Sequence, residues 1–210
     1  MKTWKRLYVG AYLLIGFALW TAAICLVDVC GIGPSGSKVG FAALNRFVHE
    51  LTDVNMRMYV ITDWLSLIPL GFAVGFAVLG LAQWIGRRNL RKVDRDLIVL
   101  GTFYMVVIAM YVIFEFFVVN YRPVLIDGCL EPSYPSSTTV LVTSVMLTAI
   151  LQLKRRVKHN ALRKWATGAI GAYIAFMIAG RLISGVHWFT DIVGGLLLSV
   201  GLVSLYRFFE

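Results

Sequence analysis

An all-α, polytopic membrane fold with six transmembrane helices is what this sequence predicts, and three observations predict it. Residues of apolar type make up 59% of the 210-residue chain. Six continuous apolar runs are long enough to cross a bilayer as helices. The runs do not alternate between apolar and polar positions, which excludes a transmembrane barrel. Backbone buried in lipid has to satisfy its own hydrogen bonds, and a helix does so within one segment.

The runs fall at 7–27, 61–85, 97–118, 136–153, 165–183 and 190–206, within a single six-span domain covering residues 1–210. The first is too long for a signal-peptide core and has no small-residue cleavage site behind it, so it reads as a retained span. Between the first two spans lies a long outer segment, 28–60. Gly31, Gly33, Pro34 and Gly36 make its beginning a turn-rich linker. After it, Leu44, Phe47, Val48 and Leu51 recur at helical spacing, which predicts an amphipathic helix in the membrane interface, over the bundle. Two further outer segments are expected at 120–135 and 184–191.

The formal net charge is +9, yet its distribution points away from nucleic acid. Fifteen of the twenty Lys and Arg fall in the N-terminal MKTWKR, in RRNLRKVDRD, in KRRVKHNALRK and at Arg207. Lys38, Arg46, Arg57, Arg122 and Arg181 make up the rest. This asymmetry predicts a plasma or inner membrane protein with both termini in the cytoplasm. Attraction to anionic lipid accounts for the basic loops, and no nucleic-acid partner is expected. Cys25, Cys30 and Cys129 lack metal-ligand spacing. Cys30 and Cys129 would share the outer side. Sequence does not decide between a disulfide joining them and free thiols, and free thiols are the expectation.

Polar residues collect at the outer ends of spans three to six: Arg122, Ser136, Arg181, His187 and Asp191. Ionisable groups at membrane depth are costly and mark function. Taken singly, each also has an ordinary reading. An arginine at a helix end snorkels towards headgroups, and an aspartate near a helix N-terminus is favoured by the dipole. Pro135 with Ser136, Ser137 and Thr138 is a normal helix start. Together they read differently. His187 and Asp191, four apart, share a helix face, so the carboxylate can orient the imidazole. Guanidinium groups match phosphate oxygens, and free N–H groups at a helix start bind anions. Two arginines on the outer side also run against the positive-inside bias. The combination predicts a phosphoryl-transfer site in which His187 attacks in line, with no metal and no cofactor.

On these residues the chain resembles the type-2 phosphatidic acid phosphatase and vanadium haloperoxidase superfamily, whose pattern is K-x6-RP, then PSGH, then SR-x5-H-x3-D. Here RP is Arg122-Pro123, PS is Pro135-Ser136, and R-x5-H-x3-D is Arg181, His187 and Asp191, within a core at 115–191. The resemblance extends over about 61–206. It implies a phosphohistidine on His187 assisted by Asp191, and phosphate binding by Arg122, Ser136 and Arg181. It also implies a lipid phosphate reached from the outer leaflet. The haloperoxidase chemistry belongs to the soluble branch.

Three positions depart from the pattern. Gly180 replaces a serine, Glu115 stands where the first lysine should be, and Thr138 replaces the histidine that resembles a general acid. A decoy, PSGS at residues 34–37, precedes RP, ends in Ser37 and belongs to the linker. Loss of an acid matters in proportion to the leaving group. An alkoxide has a conjugate acid of pKa about 16, near that of water, whereas a phosphate leaves with a relevant pKa of about 6. The expected reaction is therefore hydrolysis of a lipid diphosphate, with polyprenyl diphosphate favoured over phosphatidic acid or phosphatidylglycerophosphate. Glu115 and His49 are the candidates for a substitute acid, each with a structural role as its alternative. The rival to an enzyme is a lipid-phosphate binder or carrier that has lost hydrolysis, which the intact Arg181, His187 and Asp191 argue against. A transporter ranks below both, because the chain has no inverted repeat.

Overall fold

The computed structural model of the protein describes residues 2–210, and its regular structure is helical. In chain order the helices are α1 (Lys2–Leu26), α2 (Ala42–Thr52), α3 (Met56–Leu65), α4 (Leu67–Arg87), α5 (Arg95–Phe116), α6 (Ser137–Arg156), α7 (Asn160–Ile183) and α8 (Phe189–Phe209). Six units are long and apolar enough to cross a bilayer, with α3 and α4 together forming the second. The protein is an integral membrane protein of six helical spans.

Several boundaries differ from the hydropathic ones for reasons of hydrogen bonding. The seventh helix starts at Asn160, ahead of the apolar run, because His159 caps it: its Nδ1 accepts from the Leu162 N–H at 3.3 Å. The second span starts at Met56, inside the segment expected to be outer loop. There the Asn55 side chain accepts from the Met58 N–H at 3.0 Å.

The second span is also broken at Ser66, where an unbroken helix was expected. Proline has no N–H to give the carbonyl four residues back. Pro69 therefore frees the Leu65 carbonyl, and the Tyr173 hydroxyl of α7 donates to that oxygen at 2.9 Å. A buried carbonyl left without such a partner would be costly, so the break and the tyrosine belong together. The break lets α3 lie along α7 while α4 turns to α6 and α5.

At the centre stands α6, the most enclosed of the spans. Its inward faces carry Val140, Val142, Val145, Met146 and Ala149 together with Thr139, Thr143, Ser144, Thr148 and Gln152. Inside a bundle such polar groups need partners. Thr148 Oγ1 bonds back to the Ser144 carbonyl at 2.9 Å, and Gln152 Nε2 donates to the Tyr206 hydroxyl at 2.8 Å. Helices α7, α8, α4 and α5 surround α6, and α1 packs along α8.

The predicted amphipathic helix is α2, which contains all four apolar positions of the pattern. It ends at Thr52, where Asp53 adopts a positive φ of 52°. Leu44, Phe47 and Leu51 face outward and are exposed, Val48 is half-buried, and Asn45 is fully buried against the bundle. Cys25, Cys30 and Cys129 are unpaired.

Candidate active site

Arg122, Ser133, Ser137, Thr138 and His187 line one cavity of about 670 Å³ at the end of the bundle that also carries α2. Each reaches it by a different device. The loop between α5 and α6 folds back on itself: the Arg122 N–H donates to the Glu131 carbonyl and the Ser133 N–H to the Asn120 carbonyl, at 3.0 and 2.9 Å. This pairing puts Arg122 and Ser133 side by side. Tyr134 then anchors the loop, its hydroxyl 2.7 Å from Thr21 Oγ1 of α1. A side chain at position 194 would collide with the Tyr134 ring, whose Cε2 would lie 2.4 Å from its Cβ, so Gly194 of α8 is needed there.

Ser136 is the N-cap of α6, and its buried hydroxyl accepts from Thr139 Oγ1 at 3.0 Å. It shapes the helix start, while Ser137 and Thr138 face the cavity. The first N–H groups of α6 have no acceptor within the helix. Thr138 occupies the position of the missing acid, and among the described residues that line the cavity His187 is the only histidine.

His187 is buried, and its two ring nitrogens have separate tasks. Nδ1 lies 3.1 Å from the Ser133 carbonyl oxygen, and Nε2 lies 3.1 Å from Arg181 Nη2. A carbonyl only accepts and a guanidinium only donates. The geometry therefore assigns the proton to Nδ1 and leaves a lone pair on Nε2. Burial, with the positive charges of Arg181 and Arg122, holds His187 well below the ordinary imidazole value of 6.5.

Asp191 shares a face with His187, but its Oδ2 is 3.8 Å from Nδ1, beyond hydrogen-bond length. This differs from the expected direct contact. Oδ2 accepts from the Trp188 N–H at 2.9 Å and Oδ1 from Asn120 Nδ2 at 3.2 Å. The aspartate thus fixes the start of α8 and the 187–191 turn, and the carbonyl of Ser133 meets the imidazole itself.

Arg181 is 1% exposed. Besides Nη2 on His187, its Nη1 donates to Thr62 Oγ1 at 3.4 Å, and the Tyr59 ring lies against it, 5.0 Å from Cζ to centroid. Its Nε has no partner. Arg122 Nε lies 3.0 Å from Glu131 Oε2, without the angle of a hydrogen bond, and both Nε and Nη1 remain unbonded. Buried donors without acceptors are rare in proteins. Here they belong to two arginines beside the same imidazole.

The two candidates for a substitute acid are placed differently from each other. Glu115 lines the cavity, near the C-terminal end of α5, but it is exposed and forms no ion pair with Arg122, Arg181 or Arg57. His49 does not line the cavity; it packs on Trp188, with ring centroids 5.5 Å apart. Burial lowers its pKa, against the raising effect of Asp53 and Glu50.

Sequence reasoning missed Asn45, Tyr59, Thr62, Asn120 and the Ser133 carbonyl. Asn45 Nδ2 donates to Thr190 Oγ1 at 3.0 Å and to the Gly40 carbonyl at 2.8 Å, and Asn45 Oδ1 accepts from the Thr190 N–H at 3.2 Å. It caps the start of α8 from a helix 145 residues away in sequence. A polar residue interrupting the apolar spacing of α2 was the one available signal.

The fold and the site define a class: a polytopic helical membrane protein with two arginines gathered near a buried imidazole at one end of the bundle. Residues 115–209 match the family model of the PAP2 superfamily, in line with the motif resemblance. The fold is similar to the crystal structure of "the first transmembrane PAP2 type phosphatidylglycerolphosphate phosphatase from Bacillus subtilis". That likeness has a TM-score of 0.64 at 16% identity and covers 95% of this chain and 94% of the other. No curated protein matches the sequence.

Proposed function

We propose that this protein is a membrane lipid phosphatase that hydrolyses a lipid diphosphate or monophosphate through a phosphohistidine on His187. The observation that carries this reading is the unprotonated Nε2 of His187, held by Arg181 Nη2 and set near two buried arginine N–H groups, Arg181 Nε and Arg122 Nη1, that have no acceptor. A phosphate entering the cavity supplies those acceptors. Its oxygens take Arg122, Arg181 and the first-turn N–H groups of α6, while Nε2 attacks phosphorus and the bond to the leaving oxygen breaks. Water then attacks the phosphohistidine, the P–N bond breaks, and inorganic phosphate leaves. The neutral imidazole regained is the one the Ser133 carbonyl already holds in the correct tautomer.

A lipid substrate is supported by the walls. Below the polar end the cavity is bounded by Leu70 of α4, Val107, Met110 and Phe114 of α5, and Leu141 of α6. From Phe114 to Val107 it follows α5 for about 10 Å at helical rise. Apolar walls of that depth accept a hydrocarbon segment beneath a phosphate. The charge distribution supports an outer-side site with cytoplasmic termini.

Polyprenyl diphosphate is the favoured substrate because Thr138 cannot protonate an alkoxide, and a departing phosphate needs no such help. A second reading, phosphatidylglycerophosphate hydrolysis, is favoured by the activity named for the structurally similar Bacillus subtilis protein.

Phosphate release by purified wild type and His187→Ala is the test, with polyprenyl diphosphate, phosphatidylglycerophosphate and phosphatidic acid compared in detergent. The expected result is release that requires His187 and is fastest on the diphosphate by about a hundredfold or more. A faster monoester would overturn the diphosphate preference. Release that survives His187→Ala would overturn the mechanism. No release from any lipid, with vanadate still stabilising the fold, would identify a binder that has kept only the cradle.

A further inference from the structure

Arg181 projects from the last turn of α7, yet the side chains that fix its guanidinium, apart from His187, come from α3. The two are Tyr59 and Thr62, one helical turn apart on the same face of that helix. Tyr59 covers the guanidinium with its ring. Thr62, fully buried, meets Nη1 with its hydroxyl. The single proton of that hydroxyl goes back to the Met58 or Tyr59 carbonyl, at 2.9 and 3.0 Å, which leaves an oxygen lone pair for the arginine.

The neighbouring residue of α7 is shaped to this contact. A Cβ on Gly180 would come within 2.6 Å of Thr62 Cγ2, so the glycine makes room for the threonine to approach. The start of α3 is itself tied to the end of α7, since the Asn55 N–H donates to the Ser184 carbonyl at 3.1 Å. Thus three side-chain contacts (Thr62, Tyr59 and His187) account for part of Arg181, and Nε is left over for a ligand.

We propose that Thr62 is a positioning residue: its hydroxyl, with the Tyr59 ring, holds Arg181 in the orientation that binds phosphate. The proposal rests on the phosphatase reading for its substrate, but the grip on a phosphate-like anion is measurable without turnover. A guanidinium with one edge anchored loses less freedom when it closes on an anion. Removing the anchor frees it to rotate away and leaves a buried N–H without an acceptor.

Two substitutions separate the hydroxyl from the methyl group. Thr62→Val keeps the shape that packs on Gly180 and removes the oxygen. Thr62→Ser keeps the oxygen and removes the methyl. Vanadate affinity, read by thermal stabilisation of the detergent-solubilised protein, is measured for both and for wild type, alongside phosphate release. Thr62→Val is expected to weaken vanadate binding and kcat/KM by about tenfold or more, with Thr62→Ser within about threefold of wild type. The opposite order, or two variants that both bind like wild type, would overturn the proposal and make Thr62 a packing residue. Vanadate binding that depends on Thr62 without any phosphate release would uphold the positioning role while sinking the phosphatase reading. Absence of both vanadate binding and hydrolysis in wild type would sink the two together.

Discussion

The two halves of the site contrast. The segment from residue 115 to 209 carries the groups that would touch a phosphate: Arg122, the start of α6, Arg181 and His187. The segment of residues 40–63 carries no motif, yet it holds those groups in place. Asn45 caps α8, Asn55 binds the loop after α7, His49 packs on Trp188, and Tyr59 and Thr62 fix Arg181. Chemistry of this kind needs particular residue types at particular spacings, and so it leaves a pattern. Support needs only a polar atom at the right point in space, which many sequences can provide.

The largest effect expected comes from the motif side. His187→Ala should lower phosphate release by roughly 10⁴- to 10⁶-fold, measured in detergent, without loss of the folded protein. A residual rate within tenfold of wild type would dissolve the contrast, since the imidazole would then be support as well. Next comes a gain. Thr138→His places a proton donor on the cavity face of α6, and phosphatidic acid hydrolysis should rise by about a hundredfold, with the diphosphate rate changing much less. Equal effects on both lipids would remove the leaving-group explanation for the divergent second motif.

Asn45→Ala tests the other half. It removes the cap on Thr190 and leaves that buried N–H unpaired, at a cost of about 1–3 kcal/mol. The expected result is a lower melting temperature together with a roughly tenfold fall in kcat, because the 187–191 turn loses its brace. A stability loss with kcat unchanged would show that α2 steadies the bundle and not the site.

The pH profile gives a finer comparison. Because His187 is held below 6.5, it stays neutral as the pH falls past that value. The acid limb of kcat/KM should therefore lie below pH 6.5, and Arg122→Gln, by removing one of the two positive charges, should move it upward. A limb unmoved by that substitution would leave burial and the Arg181 charge as the causes. The smallest effects are expected at Glu115→Gln and His49→Ala, within about twofold in rate and with no change of profile. Either one abolishing an ionisation would promote it to the missing acid.

Much of the fold was legible because bilayer thickness imposes a length that hydropathy reports directly. The break at Ser66 was not read, although Pro69 announced it; its stabilising partner, the Tyr173 hydroxyl, lies over a hundred residues away in sequence. Arg122, Thr138, Arg181 and His187 were singled out from their spacing; the structure sets Arg122, Thr138 and His187 on one cavity, with Arg181 buried against His187 and not lining it. The hydrogen-bond acceptor for the imidazole Nδ1, the Ser133 carbonyl, was not legible because a backbone carbonyl carries no residue identity. Thr62 and Asn45 were invisible for a related reason, since each acts across helices whose packing no local pattern records.

One contact has a further consequence for a protein living among abundant lipids. Arg181 Nη2 sits on the lone pair of His187 Nε2, the pair that would attack phosphorus in the proposed reaction. The proposed nucleophile is therefore sheathed by the arginine. Only an oxyanion that accepts from a guanidinium better than an imidazole does can draw Arg181 aside and bare it. Neutral lipids and detergent tails can fill the apolar part of the cavity without doing so. Selectivity for phosphate would then precede any chemical step, and the idle enzyme would be spared from spending its histidine on the wrong guest.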